Sequence, residues 1–212
     1  MRKYTILFLL YINVSSYAQE FELRNGDIIF QESCPADREN SIKQVTTSIG
    51  DYEFTHVGMV YIDQAGRIFV LEATVPKVTL TPIEGYLRPE KAKGCYPVSV
   101  VGRLKEKYRA LIPDALKTGL GLIGRDYDYG FILGNDSYYC SELIYEILRK
   151  ANNGKEVFPL NTMTFKSKET ELTAKGWIEY FRKHKLPIPE GEKGINPGAM
   201  SRSDVIDIVY SY

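Results

Sequence analysis

Two neighbouring runs of β-branched and aromatic residues constrain this chain more than any other feature. One runs from Phe54 to Ile62 and the other from Arg67 to Thr74, with Asp63, Gln64, Ala65 and Gly66 between them. Runs of that composition around a short glycine-containing connection predict a β-hairpin. A three-residue loop pairs position 62 with 66 and sets His56 opposite Glu72, on one face of the sheet at about 5 Å between Cβ atoms. A slip of one residue puts the two on opposite faces. The pairing matters because Glu72 is a carboxylate inside the apolar run Ile68 to Ala73, and a buried charge without a partner is costly. A lone histidine on such a strand is usually a hydrogen-bonded core residue. Opposite Glu72, it becomes the donor that the carboxylate needs.

The remaining elements follow from periodicity. Asn25-Gly26 is a turn that leads into a strand at residues 27–30. Residues 31–51 carry weak helical spacing through Ile42, Val45 and Ile49, closed by Gly50. Val78 to Pro82 predicts an edge strand, where proline is tolerated, and residues 96–102 predict another strand. A helical stripe (Tyr108, Leu111, Ile112, Ala115, Leu116, Leu120) spans residues 105–121, with Pro113 kinking it or opening a second helix. An aromatic, loop-like stretch follows to Asp136. A helix then begins at Cys140, with Leu143, Ile144, Ile147 and Leu148 on one face and an end near Asn152-Asn153-Gly154. The tail predicts a helix at residues 177–185, a loop rich in proline and glycine at 187–198, and a final strand at 205–209.

Cys140 falls where that helix starts, flanked by Tyr138 and Tyr139. Unpaired N–H groups at a helix N-terminus favour a negatively charged sulfur. Alone, such a cysteine is as readily a small buried apolar residue. A nucleophile, a base and an orienting carboxylate form the constellation of acyl transfer, and Cys140, His56 and Glu72 supply those three residue types.

Composition closes off other classes. Lys and Arg total 27 against 27 for Asp and Glu, with no block of one sign, so the basic stripe that nucleic-acid binding requires is missing. Two histidines, His56 and His184, make no conventional zinc site, and no metal or organic cofactor is expected. The start is basic (Arg2, Lys3), then apolar from Tyr4 to Ile12, with small residues at Ser16 and Ala18. This pattern predicts a signal peptide over residues 1–18 and an exported, periplasmic or extracellular protein without stable membrane insertion after cleavage. Residues 19–212 then form a single domain, since roughly 190 residues suffice for one core. An odd number of cysteines (Cys34, Cys95, Cys140) in an oxidising compartment leaves at least one free or paired with another chain.

Residues 26–30, Thr55-His56-Val57-Gly58-Met59 and Val70-Leu71-Glu72-Ala73 resemble the histidine-strand block of NlpC-type papain-like cell-wall hydrolases. In most of that superfamily the cysteine precedes the histidine, whereas here Tyr139-Cys140-Ser141-Glu142-Leu143 follows it. That order resembles the circularly permuted branch, the YiiX/YebB-like permuted papain-fold amidases, which also resemble lecithin:retinol acyltransferase-type enzymes. The likeness spans about residues 24 to 150. It implies an α+β fold with the nucleophile's helix packed on an antiparallel sheet. It also implies Cys140 as nucleophile, His56 as general base and Glu72 as orienter. Many NlpC-type relatives place His, Asn or Gln third, so the carboxylate fits the permuted branch better. No glutamine ahead of the cysteine marks a second oxyanion donor. Tyr127 and Tyr139 are the candidates for that role and for substrate contact, with cleft wall or core packing as alternatives. Ser141 and Glu142 read as caps of the first helical turn. The substrate implied is a peptide or peptidoglycan fragment. A lipid acyl group on the same three residues, or a silent module that binds a peptide or amino acid, are the alternatives.

Overall fold

The computed structural model describes residues 21–32, 34, 41–89 and 94–212. Six strands form one antiparallel sheet. In chain order they are β1 (Ile28–Glu32), β2 (Phe54–Ile62), β3 (Ile68–Ala73), β4 (Val78–Pro82), β5 (Val98–Leu104) and β8 (Ile206–Ser211), and in space they run β4-β3-β2-β1-β5-β8. A two-residue ladder joins β6 (Asn161–Thr162) to β7 (Lys193–Gly194). The helices are α1 (Ser41–Val45), α2 (Ile83–Leu87), α3 (Glu106–Arg109), α4 (Ile112–Leu120), α5 (Cys140–Ala151), α6 (Lys175–His184) and α7 (Pro197–Ser201).

Strand alternation sorts the apolar residues into two layers. Ile28 and Phe30 of β1, Val57 and Met59 of β2, and Leu71 and Ala73 of β3 share one buried cluster with Leu143, Ile144, Ile147 and Leu148 of α5. Ile29, Val60, Val70 and Val101 point the other way, into a smaller cluster that Tyr86 of α2 covers. The stripe read along α5 is therefore the face that holds the helix on the sheet, with burial stabilising it by about 1.5–3 kcal/mol per large side chain. Helix α4 joins the first of these clusters, against both β3 and α5. A Cβ on Gly119 would lie 2.3 Å from Leu71 Cδ2 and 3.4 Å from Ile147 Cδ1, so a larger residue there would have to displace the Leu71 side chain. Pro113 sits in the first turn of α4, where a missing N–H breaks no helical bond. The stripe at 105–121 is thus two helices.

Some expectations need correction. The β2–β3 connection is longer than three residues: Ile62 pairs with Ile68, so residues 63–67 form the loop. Asp63 accounts for the length, because its carboxylate accepts from the main-chain N–H of Ala65 and of Arg67, each at 2.9 Å. The register moves by two residues, which sets Glu72 opposite Gly58 and keeps it on the same face as His56. Of the helix sought at 31–51, α1 is the part within the described residues, and Gln31 and Glu32 extend β1 instead. The loop at 187–198 contains β7 and ends in α7, and α2 follows β4 directly at Pro82. Cys34 and Cys95 form a disulfide between the exit of β1 and the approach to β5, leaving Cys140 as the free thiol. The segment 1–18 lies outside the described residues.

Candidate active site

Cys140 is the first residue of α5, after Tyr139 in extended conformation (φ −93°, ψ 170°). It is 7 % exposed. The turn is held from three sides. Glu142 accepts from the Tyr139 N–H at 3.3 Å, Ser141 Oγ donates to the Ile195 carbonyl at 2.9 Å, and the Ile195 N–H donates to the Tyr139 hydroxyl at 3.2 Å. Glu142 thus caps the helix as expected from its position. Ser141 instead fastens the segment ahead of α7 to the helix start.

Behind the sulfur, residues 126–138 are also fixed. Asp128 takes the N–H groups of Gly130 and Ile132, each at 2.7 Å, into its carboxylate. Its own N–H donates to the Tyr138 carbonyl at 3.1 Å. Phe131 adopts φ 55°, a left-handed backbone unusual for a bulky residue. The cluster of Tyr139, Phe165, Trp177 and Phe181 around its ring holds it there.

His56 lies on β2 beside a bulge, where the pairing with β1 passes from Gln31–His56 to Glu32–Phe54. Its Nε2 is 2.5 Å from Glu72 Oε2, which leaves Nδ1 for the thiol. Burial works against the imidazolium. Hydrogen bonding and negative charge from Cys140 and Glu72 more than reverse that effect and hold the ring's pKa at about 10. Glu72 is buried, which by itself favours its neutral form, but bonds from His56 and Thr81 hold it below the ordinary carboxylate range. The Thr81 hydroxyl donates to Oε1, so both carboxylate oxygens have partners. The structure therefore sets both Cys140 and Glu72 against the His56 imidazole, with Glu72 Oε2 on its Nε2.

The two tyrosines part company. Tyr127 is half-buried beside Tyr129, with ring centroids 5.3 Å apart. Burial, and then negative charge at Cys140, push its phenol well above the usual range, consistent with a position near the sulfur. Tyr139, read as a substrate-contacting residue, is instead a core side chain: it is buried and its hydroxyl is engaged by Ile195. His184 stacks on Tyr129 at 4.4 Å.

Three residues escaped the sequence reading. Thr81 supplies the second donor to Glu72, and the need for one was legible in a carboxylate with only one partner named. Tyr86, on the unforeseen α2, lies 5.8 Å from the His56 ring and donates to the Ile29 carbonyl at 3.0 Å. Gln31 is the cross-strand neighbour of His56, and its amide donates to the Tyr86 carbonyl at 2.8 Å and to Ser99 Oγ at 3.2 Å. Nothing in local spacing marks either residue, because they meet His56 only through the sheet.

A helix with a thiol at its first position, packed on an antiparallel sheet that carries imidazole and carboxylate, is the architecture of the papain-like cysteine hydrolases. The histidine strand precedes the cysteine helix in this chain, which makes the topology a permuted one. The chain belongs to the permuted papain-like amidase family of the YaeF/YiiX type (C92), whose profile matches residues 22–210. It is 28 % identical over 152 residues to the uncharacterised protein YiiX of Escherichia coli K12, covering 71 % of this chain and 69 % of that one. A crystal structure described as metalloprotein yiiX from Escherichia coli O157:H7 shares the fold, with a TM-score of 0.70 at 23 % identity over 91 % of this chain and 99 % of the other.

Proposed function

We propose that this protein is an exported cysteine amidase that cleaves a peptide, such as a peptidoglycan stem peptide, through a thioester on Cys140. The observation that carries the reading is the His56 ring, held on Nε2 by a carboxylate with both oxygens partnered and kept protonated by the neighbouring Cys140 and Glu72. The Cys140 thiolate attacks the amide carbonyl, and the main-chain N–H of Cys140 faces the developing oxyanion. His56 gives its proton to the departing amine. It then takes one from water, the hydroxide attacks the thioester, and collapse releases the acid and restores the thiolate. Glu72 keeps the ring oriented and stabilises its charge. Tyr127 borders the substrate. Export is supported by the leader-like start and by the Cys34–Cys95 disulfide, a bond typical of oxidising compartments.

The structural relative is described as a metalloprotein. Among the described residues no group of three or more His, Cys, Asp or Glu side chains could hold a metal ion. No step above runs through a metal.

Intact-mass spectrometry of the protein incubated separately with peptidoglycan fragments and with lipid esters tests the reading. A thioester adduct carrying a peptidyl mass, absent in Cys140→Ala, is the expected result. Cys140→Ala should lose hydrolysis by several orders of magnitude while its melting temperature stays nearly unchanged. Normal hydrolysis by that variant would remove Cys140 as nucleophile, and an adduct with the lipid ester alone would reassign the substrate.

A further inference from the structure

Glu142 has no part in the chemistry above, yet it is the most completely enclosed acid near the sulfur. It is fully buried, two residues from Cys140 in the first turn of α5. One oxygen, Oε2, accepts from the Tyr139 N–H at 3.3 Å, while the other, Oε1, is buried without a well-formed hydrogen bond, although the Gly134 N–H lies near the carboxylate. A carboxylate so thinly partnered in such a place is costly, and a neutral carboxyl is much less so. The groups facing it make ionisation harder still. Its pKa is raised to about 8, first of all by burial. The negative charges of Asp128, from the preceding loop, and of Glu146, one turn along α5, act in the same direction, while the main-chain N–H groups of Tyr139 and Gly134 act against them.

We propose that Glu142 is a positioning residue that serves the nucleophile by staying neutral. As a carboxyl it fixes the Tyr139 amide and leaves the positive end of α5 to the sulfur, and as an anion it sets a like charge in the same turn as the thiolate. The inference rests on Cys140 being the reactive thiol. It adds that the reactivity of this thiol is gated on the alkaline side by a residue that touches neither sulfur nor substrate. Ordinarily an acid in the first helical turn is ionised and stabilises the helix. Here full burial and the nearby Asp128 reverse that preference.

The test is the rate at which iodoacetamide alkylates Cys140, followed by mass spectrometry in the folded protein from neutral to alkaline pH. The wild type should alkylate rapidly at neutral pH and show a step in its profile at about pH 8. Glu142→Gln, which keeps an acceptor for the Tyr139 N–H but cannot ionise, should alkylate equally fast at neutral pH and lack the step. A step that persists in the variant, or one absent from the wild type, overturns the role of Glu142 while rapid alkylation leaves the nucleophile standing. Slow alkylation that climbs like an ordinary thiol in both proteins defeats the reading of Cys140 itself. If Glu142→Gln does not fold, the carbon-13 shift of the Glu142 carboxyl in the wild type decides the question. A midpoint at about 8 supports the proposal, and one in the ordinary carboxylate range overturns it.

Discussion

At the scale of single residues, the site depends on how a buried carboxylate is kept charged. Glu72 has two oxygens and two donors, the imidazole of His56 and the hydroxyl of Thr81. Removing one donor leaves a bare charged oxygen, at a cost of about 1–3 kcal/mol. Thr81→Val, nearly the same shape, should therefore lower stability by about that amount. The sign of its pH dependence also follows. The folded-state pKa of Glu72 lies below the unfolded value, so its contribution is present above the ordinary carboxylate range and is lost as pH falls through the folded value. Without Thr81 the folded value rises, and thermal unfolding followed against pH should show the acid loss beginning at higher pH than in the wild type. An unchanged acid limb would mean that the hydroxyl does not hold the charge.

At the scale of elements, the β2–β3 hairpin aligns His56 and Glu72 by a diagonal across a glycine. Glu72 lies opposite Gly58, not opposite His56, and reaches back two residues to the ring. Gly58 makes room for this. A Cβ there would lie 2.4 Å from Val70 Cγ1 and 3.3 Å from Glu72 Cβ. Val70 is β-branched and stiff, so it yields poorly. Gly58→Ala should cost about 1–3 kcal/mol by overpacking. It should also slow Cys140 alkylation at neutral pH, because Glu72 is pushed off the line to His56. A variant destabilised in thermal unfolding but alkylated at the wild-type rate would show that the glycine serves packing alone. The His-Val-Gly triplet seen in the sequence thus has a physical meaning that spacing could not supply: the glycine is the gap through which the carboxylate and imidazole meet.

At the scale of the whole molecule, the disulfide and the site are separable. Cys34 and Cys95 close a loop with a sequence separation of 61 at the ends of β1 and β5. The site is supported one layer further in, by the Gln31–Ser99 bond between the same two strands. Replacing both cysteines by serine should lower stability by roughly 2–4 kcal/mol through a less constrained unfolded chain. The neutral-pH alkylation rate of Cys140 should stay about the same. A collapse of that rate would place the bridge among the supports of the site. The permutation belongs to this scale too: the chain builds the hairpin that carries His56 and Glu72 first and the helix that carries Cys140 afterwards, and α5 packs on β2 and β3.

Most of the elements were open to reading because each is a local matter of period and punctuation. Alternating apolar residues required β2 and β3, a stripe at helical spacing required α5, and a lone acid in an apolar strand required a partner. Those same local rules singled out Cys140, His56 and Glu72 as the residues to bring together. Tertiary structure decided the rest. It added two residues to the hairpin loop, because the Asp63 side chain captured backbone that the composition left unassigned. It turned Tyr139 inward, because Ile195, far along the chain, offered its N–H. It also brought Thr81, Tyr86 and Gln31 to His56 and Glu72, because contacts across a sheet are set by pairing order and register and leave no periodic trace along any one strand.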